Sequence, residues 1–246
     1  MKANSILLFI FLVLVCASCS KESRFPTDKR YWDSKDYGDV ILKIGYGTPD
    51  GEEFPRFSNP ETGIVIRKLL DAENYRVIIE DPELGLNYRN EEAEKFFNHY
   101  RDLAKTYSIM DVQDKFVYAE ELAEILKFGL HLQIVYFKLG NERIVAQSDS
   151  PDSKRIQDIV RSNETTAVKN FNVFLDQVNN EKSYGEYASL LADGINEVFP
   201  KLISNFPKAN YSSMKSKAEL MLNKSQNEKV KTALTSLIER LKGLSD

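Results

Sequence analysis

The chain is 246 residues long, 42% hydrophobic and 11% aromatic, with 33 basic and 37 acidic residues and a net charge of −4. That composition excludes a disordered protein, and the acidic balance excludes a nucleic-acid binder, which needs a basic stripe on its contact face. Both cysteines fall within the first 19 residues, so the rest of the chain has no disulfide, thiol catalyst or cysteine-ligated metal.

Met1-Lys2 is a short basic start, residues 6–15 are an unbroken apolar run, and Cys16-Ala17-Ser18-Cys19 are small residues before the polar Ser20-Lys21-Glu22-Ser23. Basic, apolar and small-residue regions in that order make a secretory signal. The apolar segment, 12 residues when counted through Ala17, is shorter than the roughly 20 that a membrane-spanning helix needs. The small residues ending at a cysteine resemble the lipobox of bacterial lipoproteins. The resemblance implies cleavage before Cys19, diacylglycerol on its thiol, and an acyl chain such as palmitate on the new amino terminus. Several acyl chains on one residue give lasting attachment where one would be marginal. Cys16 stands where that family usually has leucine, and Ser18 where glycine or alanine is commoner. Ser20 is not the aspartate of an inner-membrane retention signal, and Ser20-Lys21-Glu22 resembles a surface-export tag of some Gram-negative lipoproteins. The expected address is therefore the cell outer membrane.

Residues 19–36 are polar, of mixed charge and without periodicity, and read as a tether. Residues 37–149 read as an α+β domain with a mixed sheet. Its expected strands are residues 39–44, ended by Gly45-Tyr46-Gly47; residues 75–80, closed by Asp81-Pro82; and a hairpin of residues 130–139 and 142–147 around Gly140-Asn141. Its expected helices start at Asn59-Pro60-Glu61, at Asn90 as an N-cap, and at residue 118, the last ending at Gly129. Ala93, Phe96, Phe97, Tyr100, Leu103 and Tyr107 recur at helical spacing and predict an aromatic buried face. With Ile134, Val135 and Tyr136 they make the expected core. Residues 150–246 carry only helical periodicity, with a kink or break expected at Pro200, and read as a helical domain or subdomain.

Chemistry-bearing motifs are few. The two histidines, His99 and His131, are 32 residues apart and make no zinc-ligand pattern. A nucleophilic serine would need one of them as its base, and no nucleophile-elbow motif is present. Gly45-Tyr46-Gly47 runs into Thr48-Pro49-Asp50 and acids rather than into a helix start, which predicts a turn and not a phosphate loop. A carboxylate pair of the glycosidase kind is defined in space and not in sequence; the aromatic platform such a site uses could come from Tyr31, Trp32, Tyr37 and Tyr46. No catalytic residue, metal or cofactor is assigned.

Charge is uneven. Residues 47–102 hold 13 acidic and 7 basic side chains, while the tail from Tyr211 has 7 basic and 4 acidic. An acidic surface on a membrane-held domain suits a cationic protein partner, with Asp50, Glu52, Glu53, Glu80 and Asp81 as its contact residues. In size, anchor and acidity the chain is similar to envelope-anchored immunity proteins that neutralise secreted antibacterial toxins. The function expected is a protein-binding module. The alternatives are an envelope hydrolase using a carboxylate pair, and a structural accessory lipoprotein of an envelope assembly.

Overall fold

The computed structural model describes residues 24–47 and 52–244. Cys19 and the signal lie outside them. Residues 24–30 make a small unit of turns, in which Thr27 N donates to Phe25 O at 2.8 Å. From Tyr31 the described residues build a second, compact unit.

That unit is made of helices. Asp33 opens α1 (Ser34–Gly47) by accepting from Asp36 N at 2.8 Å. Asn59 caps the turn before α2 (Gly63–Leu69), accepting from Glu61 N and Thr62 N, as its place before Pro60 predicts. Then follow α3 (Glu73–Ile79), α4 (Leu86–Tyr107) and α5 (Ala119–Ala146). Next come α6 (Lys154–Leu175), a 3₁₀ segment Asp176–Asn180, α7 (Glu181–Tyr184) and a second 3₁₀ segment, Gly185–Ser189. The chain closes with α8 (Leu190–Asn205), α9 (Ser212–Lys224) and α10 (Glu228–Lys242). Helix α8 continues past Pro200.

Helix α5 is the axis of the fold. Its 28 residues reach about 42 Å at 1.5 Å each, and it packs against α4, α6 and α8. Helices α1 and α3 lie on α4, while α10 lies on α8 and α9. The core is aromatic on the α4 side, where Tyr37, Tyr75, Phe96 and Phe128 meet edge to face, tilted or, for Tyr37 on Phe128, stacked, with centroids 5.4–6.5 Å apart. The buried Asn74 is tied down at both ends of its amide: Trp32 N donates to Asn74 Oδ1 at 2.8 Å, and Asn74 Nδ2 donates to Lys68 O at 2.6 Å.

The expected mixed sheet is absent: the described residues hold no strand, only an isolated bridge between Met110 and Phe116. Residues 39–44 belong to α1, where Tyr37, Val40, Ile41 and Ile44 are buried and Leu42 and Tyr46 exposed, at a period of 3.6 and not 2. Residues 75–79 likewise fall on α3, with Glu80 as its C-cap and Tyr75 and Ile79 buried one turn apart. A short β-branched run suits a buried helix as well as a strand. The expected hairpin is the second half of α5. Its residues are apolar on both faces because helices cover it on several sides. Gly140-Asn141 is a crossing point and not a turn: Asn163 of α6 donates from Nδ2 to Asn141 Oδ1 at 2.7 Å and to Phe137 O at 3.3 Å. Gly129 does not end a helix either; it lies inside α5, where the Tyr100 ring packs so closely that a Cβ would stand 2.0 Å from Cζ. Asn90 sits within α4 and donates to Leu86 O, so it is not a cap. Of the expected core, Ile134, Phe96 and Tyr100 are buried, but Val135, Tyr136 and Phe97 are half-buried.

Candidate partner-binding site

The connection between α4 and α5 is short but highly organised. Asp111 N donates to Lys115 O at 2.8 Å, and Val117 N donates to Ile109 O at 2.9 Å, which folds residues 109–117 back on themselves. The Asp111 carboxylate accepts from Gln113 N at 2.8 Å and Lys115 N at 2.9 Å. Asp114 takes a positive φ of 58° to close the turn, a conformation that aspartate tolerates better than most residues.

The loop is braced against α7. Phe116 N donates to Ser183 O at 2.9 Å, Lys115 Nζ donates to Lys182 O at 2.9 Å, and the Phe116 ring packs on Tyr184 with centroids 4.8 Å apart. Tyr184 in turn donates its hydroxyl to Gln177 Oε1 at 3.0 Å. On this braced frame Ile109, Met110, Val112 and Val117 are exposed, Val112 completely. Single exposed apolar residues are ordinary; four within nine positions on a pinned loop are not.

Beside the loop lies an open polar depression of about 900 Å³, lined by Asp114 and Lys115 on one wall and by Glu181, Gly185 and Lys224 on the other. Glu181 is locked there, accepting from Ser225 Oγ at 2.5 Å and Gln226 N at 2.8 Å. Lys224 donates to Asn179 Oδ1 at 2.9 Å. Gly185 has φ 59° and ψ −127°, a region open to glycine almost alone. Asp114 and Gly185 are the positive-φ residues among those described, and both line this depression. Costly backbone conformations concentrate where a site must hold its shape.

The residues singled out by sequence are spread elsewhere. Asp50 lies outside the described residues. Glu52 and Glu53 are exposed before α2, and Glu53 pairs with Arg56 at 3.2 Å. At the end of α3, Glu80 pairs with Arg76 at 2.8 Å, and Asp81 accepts from Glu83 N in a tight turn. Among the described residues, no hydrogen bond or ion pair links Glu53 to Glu80 or Asp81. Trp32 and Tyr37 are fully enclosed and show no ring face to a sugar, while Tyr31 and Tyr46 are exposed.

The two histidines do not meet. His99 on α4 is half-buried with its ring against Gly38 of α1, where a Cβ would lie 2.6 Å from Cε1. His131 on α5 lines a cavity of about 480 Å³ between α3, α5 and α8. Burial first, then Lys201 and Lys127, push its pKa down to about 4. Among the described residues no group of three or more His, Cys, Asp and Glu is placed to hold a metal, and none of the helices is long and apolar enough to cross a membrane.

Sequence reading missed the loop because it falls between two helical patterns. The available signal was Asp111-Val112-Gln113-Asp114, a turn-forming stretch flanked by four apolar residues that follow neither helical nor strand spacing. Compared with protein-family models, curated proteins and solved structures, the chain matches none.

Proposed function

We propose that this chain is an envelope-anchored lipoprotein that works by binding another protein, with the contact centred on residues 109–117 and the adjoining depression. The observation that carries this reading is the fully exposed Val112 on a loop whose backbone is fixed by hydrogen bonds on both sides. A rigid apolar projection loses little conformational entropy on docking, which is how a small contact gains affinity. Asp111 and Asp114 flank the projection, so the complementary surface is an apolar socket with a cationic rim. Those carboxylates also disfavour insertion into an anionic lipid surface. The acidic residues around Glu53 and Glu80 contribute less, because an arginine already partners each.

In this reading Cys19 carries the lipid and holds the domain at the outer membrane. A toxin-neutralising immunity protein is the specific form in which the partner is a cationic toxin, and expression of the chain then protects a sensitive cell. The test places a photocrosslinking residue at Val112 and, as a control, at the exposed Leu220 of α9. In envelopes of the source bacterium, Val112 gives one discrete protein adduct, Leu220 does not, and Met110→Asp removes the adduct while the melting temperature stays unchanged. Equal crosslinking at both positions, or an adduct that survives Met110→Asp, overturns the reading.

A further inference from the structure

A cavity of about 450 Å³ opens between α4, α5 and α6, away from the loop just described. Its size falls within the roughly 300–1,000 Å³ range of small-molecule sites. Three aromatic side chains, Phe97, Tyr100 and Phe174, form its walls. Both Tyr100 and Phe174 seat on glycines, Gly129 and Gly194, where any Cβ would collide with the ring. The apolar shape is thus built into the backbone.

One polar group in this cavity has no bonding partner in the protein. Gln133 is only 5% exposed and lines the cavity, and its Oε1 receives no hydrogen bond. A buried amide oxygen without a donor is destabilising, and native structures keep such groups where a ligand or water completes them. Two more carboxamides, Asn170 and Gln177, line the same space. The Gln177 oxygen is already taken by the Tyr184 hydroxyl at 3.0 Å and Asn180 Nδ2 at 3.3 Å. Its NH₂ is therefore the end left to donate.

The charged lining residue is Arg101, exposed at the mouth, and no carboxylate of the described residues pairs with it. Carboxamides inside, aromatic walls and one free guanidinium at the rim define a complementary molecule. It has an apolar side chain for the rings, an amide that both donates and accepts for the carboxamides, and a carboxylate for the arginine.

We propose that this cavity binds a small amide-bearing amphipathic anion of the N-acyl amino acid or short-peptide class. The apolar side chain lies among Phe97, Tyr100 and Phe174, the amide N–H supplies the donor that Gln133 Oε1 lacks, and the carboxylate meets Arg101. This inference stands apart from the loop reading, since none of residues 109–117 lines the cavity.

The test is a titration of the ¹⁵N-labelled full chain with N-acetylphenylalanine, followed through the Gln133 side-chain amide signals. Binding shifts those signals saturably. N-acetylphenylalaninamide, which lacks the charge, binds at least about tenfold more weakly, a difference of about 1.4 kcal/mol. Arg101→Gln, at an exposed position, removes that preference. Gln133→Leu, followed through the Gln177 side-chain amide signals, keeps the shape, weakens N-acetylphenylalanine by about tenfold, and raises the melting temperature because the orphaned oxygen is gone. No saturable shift at Gln133 overturns the proposal and leaves the cavity to water. Binding that Arg101→Gln or Gln133→Leu leaves unchanged overturns it too, since the polar groups then recognise nothing.

Discussion

His131 is held neutral by its surroundings, with its pKa pushed down to about 4 by burial and then by Lys201 and Lys127. His99 is lowered too, chiefly by burial and against the pull of Asp102, Asp39 and Glu92. In the unfolded chain a histidine titrates near about 6.5. Below that pH the unfolded state binds protons that the native state does not, so stability falls as pH drops from about 6.5 to about 4 and levels below. Urea midpoints measured across this window decline for the native chain and decline less for His131→Gln. Identical slopes would mean that His131 is protonated in the folded state. Core packing makes a second contrast at this scale. Phe96 is fully buried, so Phe96→Ala costs about 3–5 kcal/mol. Its neighbour Phe97, half-buried and stacked on Tyr136 at 5.1 Å, costs less when truncated. Equal losses in chemical denaturation would show that the two rings share one environment.

Between helices, a glycine's sign depends on what stands opposite. Gly129→Ala would improve helix propensity by about 1 kcal/mol, but its Cβ would fall 2.0 Å from Tyr100 Cζ. The clash wins, and the net loss expected at the α4–α5 crossing is about 1–3 kcal/mol. Gly45→Ala on α1 meets only Thr106, at an ordinary 3.5 Å, and should stabilise by roughly 0.5–1 kcal/mol. Denaturation of both variants decides the matter, and the same sign for both would remove the steric argument. These crossings also explain how far the sequence could be read. The aromatic stripe on α4 and the periodic C-terminal helices were legible because each has one covered face, which a period of 3.6 records. Helix α5 was not, because a helix covered on several sides loses its polar stripe and looks like a central strand. Gly140 and Gly129 looked like turn and stop signals for the same reason. Each marks a close approach by a neighbouring helix, at Asn163 and Tyr100. The candidate site was the least legible, since the loop depends on distant bonds to Ser183 and Lys182 that no local spacing encodes.

Over the whole molecule, charge pairing bears on how the proposed anchor would work. The acidic stretch and the basic tail both satisfy part of their charge internally, through pairs such as Glu80–Arg76 and Glu92–Lys95 on one side and Asp176–Lys217 and Glu228–Lys231 on the other. Exposed pairs of this kind add little stability; what they do is flatten the long-range field, so that in the proposed reading a partner would be recognised by local shape. A lipid at Cys19 would raise the local concentration of that shape at the membrane without taking part in the fold, whose helices from Tyr31 onward enclose their own core. Anchoring and folding are therefore expected to separate. In Cys19→Ala the incorporation of labelled palmitate vanishes and the chain leaves the membrane fraction or stays unprocessed, while helical circular dichroism and melting temperature match the native chain. Labelling that persists in Cys19→Ala would move the acylation to Cys16 or end the lipoprotein reading. A variant that loses its helical signal along with its lipid would show that the anchor supports the fold.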